Sequence, residues 1–328
     1  MESIMEIFSQ RLRIAVLLAL TTSGVACGRA GSAPEGDASP ADGADARFAE
    51  TWVTTGDSLR LYARVVGHGP DTVVIPASAW LARDVAPLAR GRTLIFYDPR
   101  GRGASHYVRD TTHMGIEWEI RDLESVRAHF GLRRMSLVGW SYLGAIVALY
   151  AAEYPDHVRR VVQVGPMPPR SETAGITDER GSPPDSADLA YLASLRRMGL
   201  PATDPPAYCR AYLRIVMIRP MMGRPEAADR ARIDPCAHWN EWPQQLGRTV
   251  RHLIPEEWDF TDRATRIAAP VLTVHGTDDP NAPVEGGREW VSSIPDARLL
   301  ELEGVGHAPW LEVPETFFRE VDAFLAGP

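Results

Sequence analysis

Short apolar runs and amphipathic stretches alternate along the chain from about residue 59 onward. The apolar runs predict strands at residues 59–66, 72–76, 93–97, 135–138, 158–164, 270–275 and 297–302. Apolar residues at helical spacing predict helices at residues 80–90, 120–130, 142–154, 284–293 and 314–325. Strands that alternate with helices favour the α/β class, with a mainly parallel sheet that is covered on both faces.

The alternation is broken once, by roughly a hundred residues between two of the predicted strands, far more than a crossover connection needs. Helical patterns in this interval lie at residues 187–198, 207–218 and 238–253, and proline pairs interrupt it at residues 168–169, 183–184 and 205–206. We therefore predict a helical lid at residues 167–255. It is inserted between two parts of one core, residues 48–166 and residues 256–328.

Residues 1–26 have the pattern of a cleaved signal peptide. Two arginines precede the apolar run 14–20, which is too short to span a bilayer permanently, and small residues follow it up to Cys27. This stretch resembles a bacterial lipoprotein cleavage box, although Gly24 stands where such boxes usually carry Leu. Either Cys27 is lipidated or an ordinary signal peptidase cuts after Ala26. Both alternatives export the protein to the bacterial cell envelope, where it is lipid-anchored, periplasmic or extracellular.

Residues 27–47 are rich in Gly, Ala, Ser, Pro and Asp and have no periodic apolar pattern, so they cannot offset the entropy of ordering. We predict a flexible linker there, between a lipid anchor on Cys27 and the folded part. The chain has a net charge of −8, and removal of residues 1–26 would not change it. An acidic balance argues against nucleic acid as a partner, because phosphate binding needs a basic surface.

Ser141 lies in the stretch Gly139-Trp140-Ser141-Tyr142-Leu143-Gly144, which follows a predicted strand and begins a predicted helix. A nucleophile on such a sharp turn needs small neighbours, and Gly139 and Gly144 provide them. Leu143 departs from the usual G-x-S-x-G pattern. The stretch predicts a nucleophilic serine, while a serine that only caps the following helix is the alternative.

An acid and a histidine follow later strands. Asp278 and Asp279 come after the strand at 270–275, where a carboxylate can accept the Nδ1 proton of a histidine and stabilise the imidazolium. His307 lies in a glycine-containing loop between the last predicted strand and the last predicted helix. Each residue alone is an ordinary loop residue. Serine, acid and histidine in this order, each directly after a strand, predict a catalytic triad.

From about Trp52 to its C-terminus the chain resembles the α/β-hydrolase superfamily, the lid being the least similar part. Residues 98–105 resemble the D-x-R-G-x-G-x-S loop of that family, which is structural there. Residues 276–283 match the family's G-x-x-D-x-x-x-P acid loop, and this match selects Asp279 over Asp278. The resemblance implies an α/β-hydrolase fold, with a mainly parallel eight-stranded sheet, flanking helices and an inserted helical lid. It is greatest to proline iminopeptidase-like enzymes and esterases.

The same resemblance implies an oxyanion hole made of two main-chain N–H groups. One donor is Tyr142, the residue after the nucleophile. The other comes from the loop after the strand at 72–76, where the family usually has His-Gly and this chain has Pro-Ala-Ser-Ala-Trp. Alignment assigns the N–H of Ser78, with Ala77 as the alternative. Because both donors are main-chain groups, the changed side chains do not by themselves remove the hole.

A triad of this kind implies two-step acyl transfer, in which Ser141 attacks a carbonyl and a water activated by His307 releases the acyl group. The expected substrate is a small molecule or a short peptide with a carboxylic ester or amide bond. No cofactor is required, and no pair of histidines has the spacing of a metal site.

Two other functions remain open. A proline iminopeptidase-like aminopeptidase would need a carboxylate near the site for the amine of the substrate. Glu241, Glu256 and Glu257 lie in or beside the predicted lid, with ordinary surface acids as the alternative. A non-catalytic ligand-binding relative is the second function. Such relatives often lack a triad residue, whereas this chain has all three.

Cys209 and Cys236 are the only cysteines besides Cys27, and both fall within the predicted lid. Because the protein is expected in an oxidising compartment, we predict a disulfide between them, with free buried cysteines as the alternative.

Overall fold

One sheet of eight strands forms the centre of the protein. The computed structural model describes residues 48–174, 184–232, 236 and 252–327. The strands are β1 (Ala49–Thr54), β2 (Arg60–Val66), β3 (Asp71–Pro76), β4 (Arg92–Tyr97), β5 (Met135–Trp140), β6 (Val158–Val164), β7 (Val271–Gly276) and β8 (Ala297–Leu302). They lie side by side in the order β1-β2-β4-β3-β5-β6-β7-β8.

Most of this sheet is parallel. β2 pairs antiparallel with β1 and with β4, while the other neighbouring pairs are parallel. The carboxyl ends of β3 to β8 therefore share one edge of the sheet, which is where ligands of such sheets usually bind. The predicted fold class, a mainly parallel sheet of eight strands, is confirmed.

Helices flank the sheet and connect its strands. They are α1 (Ser78–Leu81), α2 (Ile116–His129), α3 (Tyr142–Glu153), α4 (Ser171–Ala174), α5 (Ser186–Arg197), α6 (Leu200–Thr203), α7 (Pro205–Leu213), α8 (Thr261–Ala264), α9 (Val284–Ser293), α10 (Pro309–Glu312) and α11 (Pro314–Ala326). α3 packs on β5 and β6, and every residue from 143 to 152 is buried. A helix that is apolar on all sides must be covered on all sides. The helix that follows Ser141 is thus part of the core.

The structure differs from the sequence analysis at two places. The first is β1, an edge strand that the sequence does not predict, because only Val53 is buried and the apolar pattern is weak. The continuous helix predicted at residues 80–90 is wrong, since the chain forms α1 and then a separate 3₁₀ turn, Ala86–Ala89. Pro87 lacks an N–H and disfavours a helical Ala86, so a regular helix does not continue through this point.

Between β6 and β7 the described part of the chain is mainly helical. α5 and α7 lie where the patterns at 187–198 and 207–218 predict helices, and a π-helical turn, Arg214–Ile218, continues α7. The third pattern, 238–253, lies outside the described residues except for its last two positions. Residues 1–47, with the predicted signal peptide and linker, also lie outside them. None of the described helices combines the length and apolarity that crossing a membrane requires.

Candidate active site

Ser141 occupies a strained turn between β5 and α3. Its backbone has φ 57° and ψ −129°, a conformation that costs a non-glycine residue about 1–3 kcal/mol. The turn is feasible because glycines stand two residues before and three residues after it, where a side chain would collide with the backbone or with a neighbouring ring. A Cβ at Gly139 would lie 2.3 Å from the carbonyl oxygen of Leu143, and a Cβ at Gly144 would lie 3.1 Å from the ring of Pro166. Leu143, the departure from the usual pattern, is buried within α3 and leaves the turn intact.

Asp279 and His307 are hydrogen-bonded in the interior. Nδ1 of His307 lies 2.6 Å from Oδ2 of Asp279, and Oδ1 accepts the N–H groups of Asn281 at 2.8 Å and Ala282 at 3.0 Å. Burial alone would raise the pKa of Asp279, but its electrostatic interaction with His307 and hydrogen bonds from His275 and His307 hold it well below its usual range. An ionised carboxylate only accepts hydrogen bonds. Nδ1 of His307 therefore carries its proton, and Nε2 is left to act as a base.

Asp278, the competing acid, has other partners. Its main-chain N–H donates to the carbonyl oxygen of Val305 at 3.0 Å, and its carboxylate accepts the hydroxyl of Thr277 at 3.2 Å. Its side chain is only half-buried. The structure thus brings Asp279, the acid that the family's acid loop selects, to the histidine.

The three predicted triad residues lie at the same edge of the sheet, where Ser141 follows β5, Asp279 follows β7 and His307 follows β8. Ser141 donates its N–H to the last carbonyl of β6 at 2.9 Å, directly before Gly165. A Cβ at Gly165 would lie 2.9 Å from both Oδ2 of Asp279 and Nδ1 of His307. Trp140, the residue before the nucleophile, donates its indole N–H to the main-chain oxygen of His307 at 2.8 Å. The nucleophile turn and the acid–base pair are therefore neighbours across one glycine.

The two predicted oxyanion donors both begin a helix. Ser78 is the first residue of α1 and Tyr142 the first residue of α3. The N–H of a first helical residue has no acceptor within its helix, and neither group donates to another of the described residues. Both N–H groups are therefore available to an oxyanion. Ala77, the alternative donor, precedes α1 in a left-handed conformation with φ 73°.

The loop at residues 98–105 holds the oxyanion segment. Oδ1 of Asp98 accepts the N–H of Ala79, next to Ser78, at 2.7 Å. Further along the loop, the buried guanidinium of Arg100 pairs with Asp122 through two contacts of 2.6 and 2.7 Å. The loop therefore has the structural role that the resemblance implies.

A second histidine, which the sequence reasoning did not single out, lies behind Asp279. Nε2 of His275 is 3.0 Å from the carbonyl oxygen of Ala282 and 3.5 Å from Oδ2 of Asp279. Because a carbonyl oxygen only accepts, Nε2 carries the proton, and Nδ1 has no partner among the described residues. The only sequence signal for this residue is its place directly before the acid loop.

Part of the segment between β6 and β7 contacts the histidine loop. The N–H of His307 donates to the carbonyl oxygen of Met221 at 2.8 Å. Glu312 of α10 joins the two stretches, because one carboxyl oxygen accepts the N–H of Arg224 at 2.8 Å and the other that of Gly306 at 2.9 Å. Burial raises the pKa of Glu312 to about 7, although both N–H groups oppose the shift. The sequence reasoning also missed this residue.

Three tryptophans lie beside the candidate triad. The ring of Trp140 has its centroid 5.2 Å from that of His307, 5.1 Å from that of Trp310 and 6.4 Å from that of Trp80. Trp80 lies in α1, two residues after Ser78, Trp140 ends β5, and Trp310 lies in α10, three residues after His307. Aromatic rings in such a place suit the apolar part of a ligand.

Two of the three carboxylates considered for amine binding are at exposed positions. Glu256 and Glu257 are exposed, and Glu241 lies outside the described residues. Within the residues that the structure describes, no three His, Cys, Asp or Glu side chains are grouped as a metal ion would require.

Cys209 and Cys236 form a disulfide in the segment between β6 and β7. Their Cα atoms are 5.5 Å apart, and both residues are buried. The bridge ties α7 to Cys236. Cys27, the predicted lipidation site, lies outside the described residues.

Comparison with known proteins adds relationships to this geometry. The sequence profile of a family described as alpha/beta hydrolase fold matches residues 75–314. A pimeloyl-acyl-carrier-protein methyl ester esterase from Chromobacterium violaceum is 29% identical over 285 residues, which cover 81% of this chain and 98% of the relative. A proline iminopeptidase from Lactobacillus helveticus is 26% identical over 255 residues, covering 72% and 80%. An esterase structure from Rhodococcus has a TM-score of 0.60 at 22% identity, covering 85% of this chain and 98% of that one.

Proposed function

The chain belongs to the α/β-hydrolase family, and we propose that it is a serine hydrolase that cleaves a carboxylic ester or amide bond through Ser141, His307 and Asp279. Relatives named esterase and iminopeptidase already make it an enzyme of hydrolase type. One observation carries the assignment of residues. The strained turn at Ser141 lies at the same sheet edge as the buried 2.6 Å contact between His307 and Asp279.

The proposed reaction has two halves. Oγ of Ser141 attacks the carbonyl carbon while Nε2 of His307 takes the hydroxyl proton, and the N–H groups of Ser78 and Tyr142 hold the resulting oxyanion. The bond to the alcohol or amine then breaks, and the leaving group takes the proton from His307. Water attacks the acyl-enzyme by the same route and releases the carboxylic acid. Asp279 keeps the Nδ1 proton in place throughout.

Esters are the substrates that we expect to be cleaved faster. Amide cleavage requires His307 to protonate a poor amine leaving group as the intermediate collapses, which demands a substrate held in accurate register. An aminopeptidase also needs a carboxylate for the substrate amine, and two of the three candidates, Glu256 and Glu257, are exposed. The rings of Trp80, Trp140 and Trp310 favour an apolar acyl group instead.

A proline iminopeptidase-like activity is the second candidate. It is favoured by the Lactobacillus helveticus relative, whose match covers 72% of this chain. Glu241 is the remaining candidate for its amine-binding carboxylate. A non-catalytic binding protein on the same scaffold is less well supported, because serine, acid and histidine are all retained.

A fluorophosphonate probe tests the serine assignment, since only an activated serine reacts with it rapidly. We expect labelling of the purified protein that Ser141→Ala abolishes and that Ser125→Ala, a control on α2, leaves unchanged. Kinetics on p-nitrophenyl esters and on anilides with the same acyl group then test the substrate class. A higher kcat/KM for a prolyl or alanyl anilide than for its matched ester would favour the aminopeptidase, and slow labelling without turnover would favour a binding protein.

We further propose that the protein is exported and held at a membrane by a lipid on Cys27. The support is the order of arginines, apolar run and small residues in the first 27 positions. In a bacterial host, the chain is expected in the membrane fraction, and Cys27→Ser should move it to the soluble envelope fraction. A wild-type chain that is exported but entirely soluble would contradict lipidation. An uncleaved cytoplasmic chain would contradict export.

A further inference from the structure

A cleft of about 630 Å³ opens at the end of the sheet opposite the candidate triad. It is bordered by the segments that lead into β3, β5, β6 and β7, at their amino ends, whereas Ser141, Asp279 and His307 lie at carboxyl ends. Four of the residues that line the cleft are arginines, namely Arg133, Arg134, Arg159 and Arg160. The chain as a whole has a net charge of −8, so this concentration of positive charge runs against its overall balance.

Contacts with the protein hold several of these arginines at the cleft. Arg134 donates to the carbonyl oxygen of Val158 at 2.6 Å, and the guanidinium of Arg160 lies 5.8 Å from the ring centroid of Phe324. Asp71, which lies between the lining residues Pro70 and Thr72, pairs with Arg159 at 2.7 Å. Arg133 and Arg134 are exposed. The cleft therefore presents the side chains of Arg133 and Arg134 to solvent.

The first strand runs away from the cleft end of the sheet. β1 is antiparallel to β2, which is antiparallel to β4, so β1 runs in the direction of the parallel strands. Its first residue, Ala49, is level with the middle of β3, from which two strands separate it, roughly 15 Å away at ordinary strand spacing. Twenty-one residues lie between Cys27 and Ala49. A flexible chain of that length would span roughly 25 Å on average.

We propose that the arginine cleft is a docking surface for the anionic phospholipid headgroups of a bilayer, which orients the enzyme with its candidate active site facing away from the membrane. Guanidinium groups bind phosphate oxygens in a bidentate manner, which suits them to this ligand. Each basic residue near an anionic surface strengthens binding about five-fold. A lipid on Cys27 would hold the cleft close to the bilayer, but the surface itself does not depend on that lipid.

Co-sedimentation with vesicles tests this proposal without the lipid. The protein is the full chain with Cys27→Ser, and the vesicles are phosphatidylcholine alone or phosphatidylcholine and phosphatidylglycerol in equal parts. Binding to the pure phosphatidylcholine vesicles measures the contribution of apolar segments. We expect additional binding to the mixed vesicles that weakens as salt is added.

Paired substitutions locate the binding. Arg133→Gln with Arg159→Gln should weaken binding to the mixed vesicles by about 25-fold, five-fold for each charge. Arg109→Gln with Arg210→Gln removes two exposed arginines outside the cleft. This pair should weaken binding to the mixed vesicles less than the cleft pair does. Arg133→Lys with Arg159→Lys should retain most of the binding. Ester hydrolysis by all these variants should match that of the parent, which shows that they are folded.

Three outcomes would overturn the proposal. The first is equal binding to the two vesicle types. The second is an equal loss of binding for the cleft pair and the control pair. The third is displacement of the protein by inorganic phosphate at an ionic strength at which chloride has no effect, because this would make the cleft a discrete site for a small anion.

Discussion

Ser141 and His307 lie in the same site but are held there by different kinds of contact. The turn of Ser141 is shaped mainly by its neighbours in sequence, namely the end of β5, the start of α3 and the nearby glycines, with one hydrogen bond from its N–H to β6. His307 is held by two residues far away along the chain, Asp279 at its ring and Met221 at its N–H. Glu312, close in sequence, accepts the preceding N–H. The geometry of the nucleophile is therefore mostly local, whereas that of the base depends on how the segment between β6 and β7 packs.

Removing the nucleophile has the largest expected effect. Ser141→Ala deletes the oxygen that attacks the carbonyl, and kcat should fall by about a million-fold. Because the backbone and the flanking glycines set the turn, the melting temperature should change little. Ser125→Ala, whose hydroxyl bonds only within its own helix, is the control and should keep full activity. Substantial turnover by Ser141→Ala would refute the triad.

Removing the acid should cost less, because the nucleophile and base remain. Asp279→Asn deprives His307 of the carboxylate that fixes its tautomer, and kcat should fall about ten-thousand-fold. Asp278→Asn is the matched control, since its carboxylate contacts Thr277, and kcat should change only a few-fold. If the two effects on kcat were reversed, the acid would have to be reassigned to Asp278.

The same contrast explains which parts of the site the sequence could predict. Ser141 stands out because strand, turn and helix are contiguous and each has a recognisable pattern. Asp279 and His307 needed the order of the three residues and the resemblance to a family, since a lone acid or histidine in a loop has no distinctive surroundings in sequence. His275 and Glu312 could not be found in this way, because what makes them special is burial and contacts that only folding creates.

The fold shows a similar division. β3 to β7 are predictable because a parallel sheet covered on both faces needs continuous apolar strands. β1 is half-exposed at the edge of the sheet and has no such pattern. The helix predicted at residues 80–90 failed because its apolar spacing is helical but Pro87 stops regular hydrogen bonding. The pattern of apolar residues thus predicts which segments are buried better than it predicts where a helix is interrupted.

Loss of the disulfide should affect the segment between β6 and β7 more than the nucleophile. Cys209→Ser with Cys236→Ser opens a loop with a sequence separation of 27 residues, and the free energy of unfolding should fall by about 3.5 kcal/mol on chain-entropy grounds. Denaturant unfolding with and without reductant, in a Cys27→Ser background, measures this. Reductant should not destabilise the double variant. Two titratable thiols in the unreduced, unfolded parent would exclude the bridge.

Glu312, which joins the segment between β6 and β7 to the histidine loop, should make the free energy of unfolding depend on pH. Burial raises the pKa of Glu312 to about 7 in the folded protein, against about 4.5 when unfolded. Between pH 4.5 and 7 the folded state therefore binds more protons than the unfolded state. The stabilisation that Glu312 gives is fully present below pH 4.5 and is lost as the pH rises through 7, which lowers the free energy of unfolding by up to about 3 kcal/mol.

Comparison of Glu312→Gln with the parent isolates this contribution from that of Glu119, whose pKa burial also raises to about 7. The free energy of unfolding of the variant should fall less steeply between pH 4.5 and 8. Glu315→Gln, at an exposed position on α11, should reproduce the slope of the parent. A Glu312→Gln slope equal to that of the parent would mean that the carboxylate titrates as it does in solvent.

The difference between Ser141 and His307 is tested most directly by adding a side chain where the segment between β6 and β7 meets the histidine loop. A Cβ at Gly223 would lie 2.7 Å from the carbonyl oxygen of Gly304 and 3.0 Å from the nitrogen of Gly306. Gly223→Ala therefore pushes the two stretches apart and lengthens the bond that the N–H of His307 makes. Misplacement of a catalytic group by about 1 Å costs up to about a hundred-fold, so we expect kcat to fall by roughly 30-fold.

The leaving group then separates damage to the base from damage to the nucleophile. An alkyl ester needs His307 to protonate the departing alkoxide, whereas p-nitrophenolate leaves unprotonated, so Gly223→Ala should slow the alkyl ester more. Gly139→Ala, which disturbs the Ser141 turn instead, should slow both esters alike and lower the melting temperature. Gly56→Ala, with nothing within 4 Å of its Cβ, should do neither. If Gly223→Ala behaved like Gly139→Ala, or left kcat unchanged, the base would not depend on the segment between β6 and β7, and both halves of the site would be fixed by the core alone.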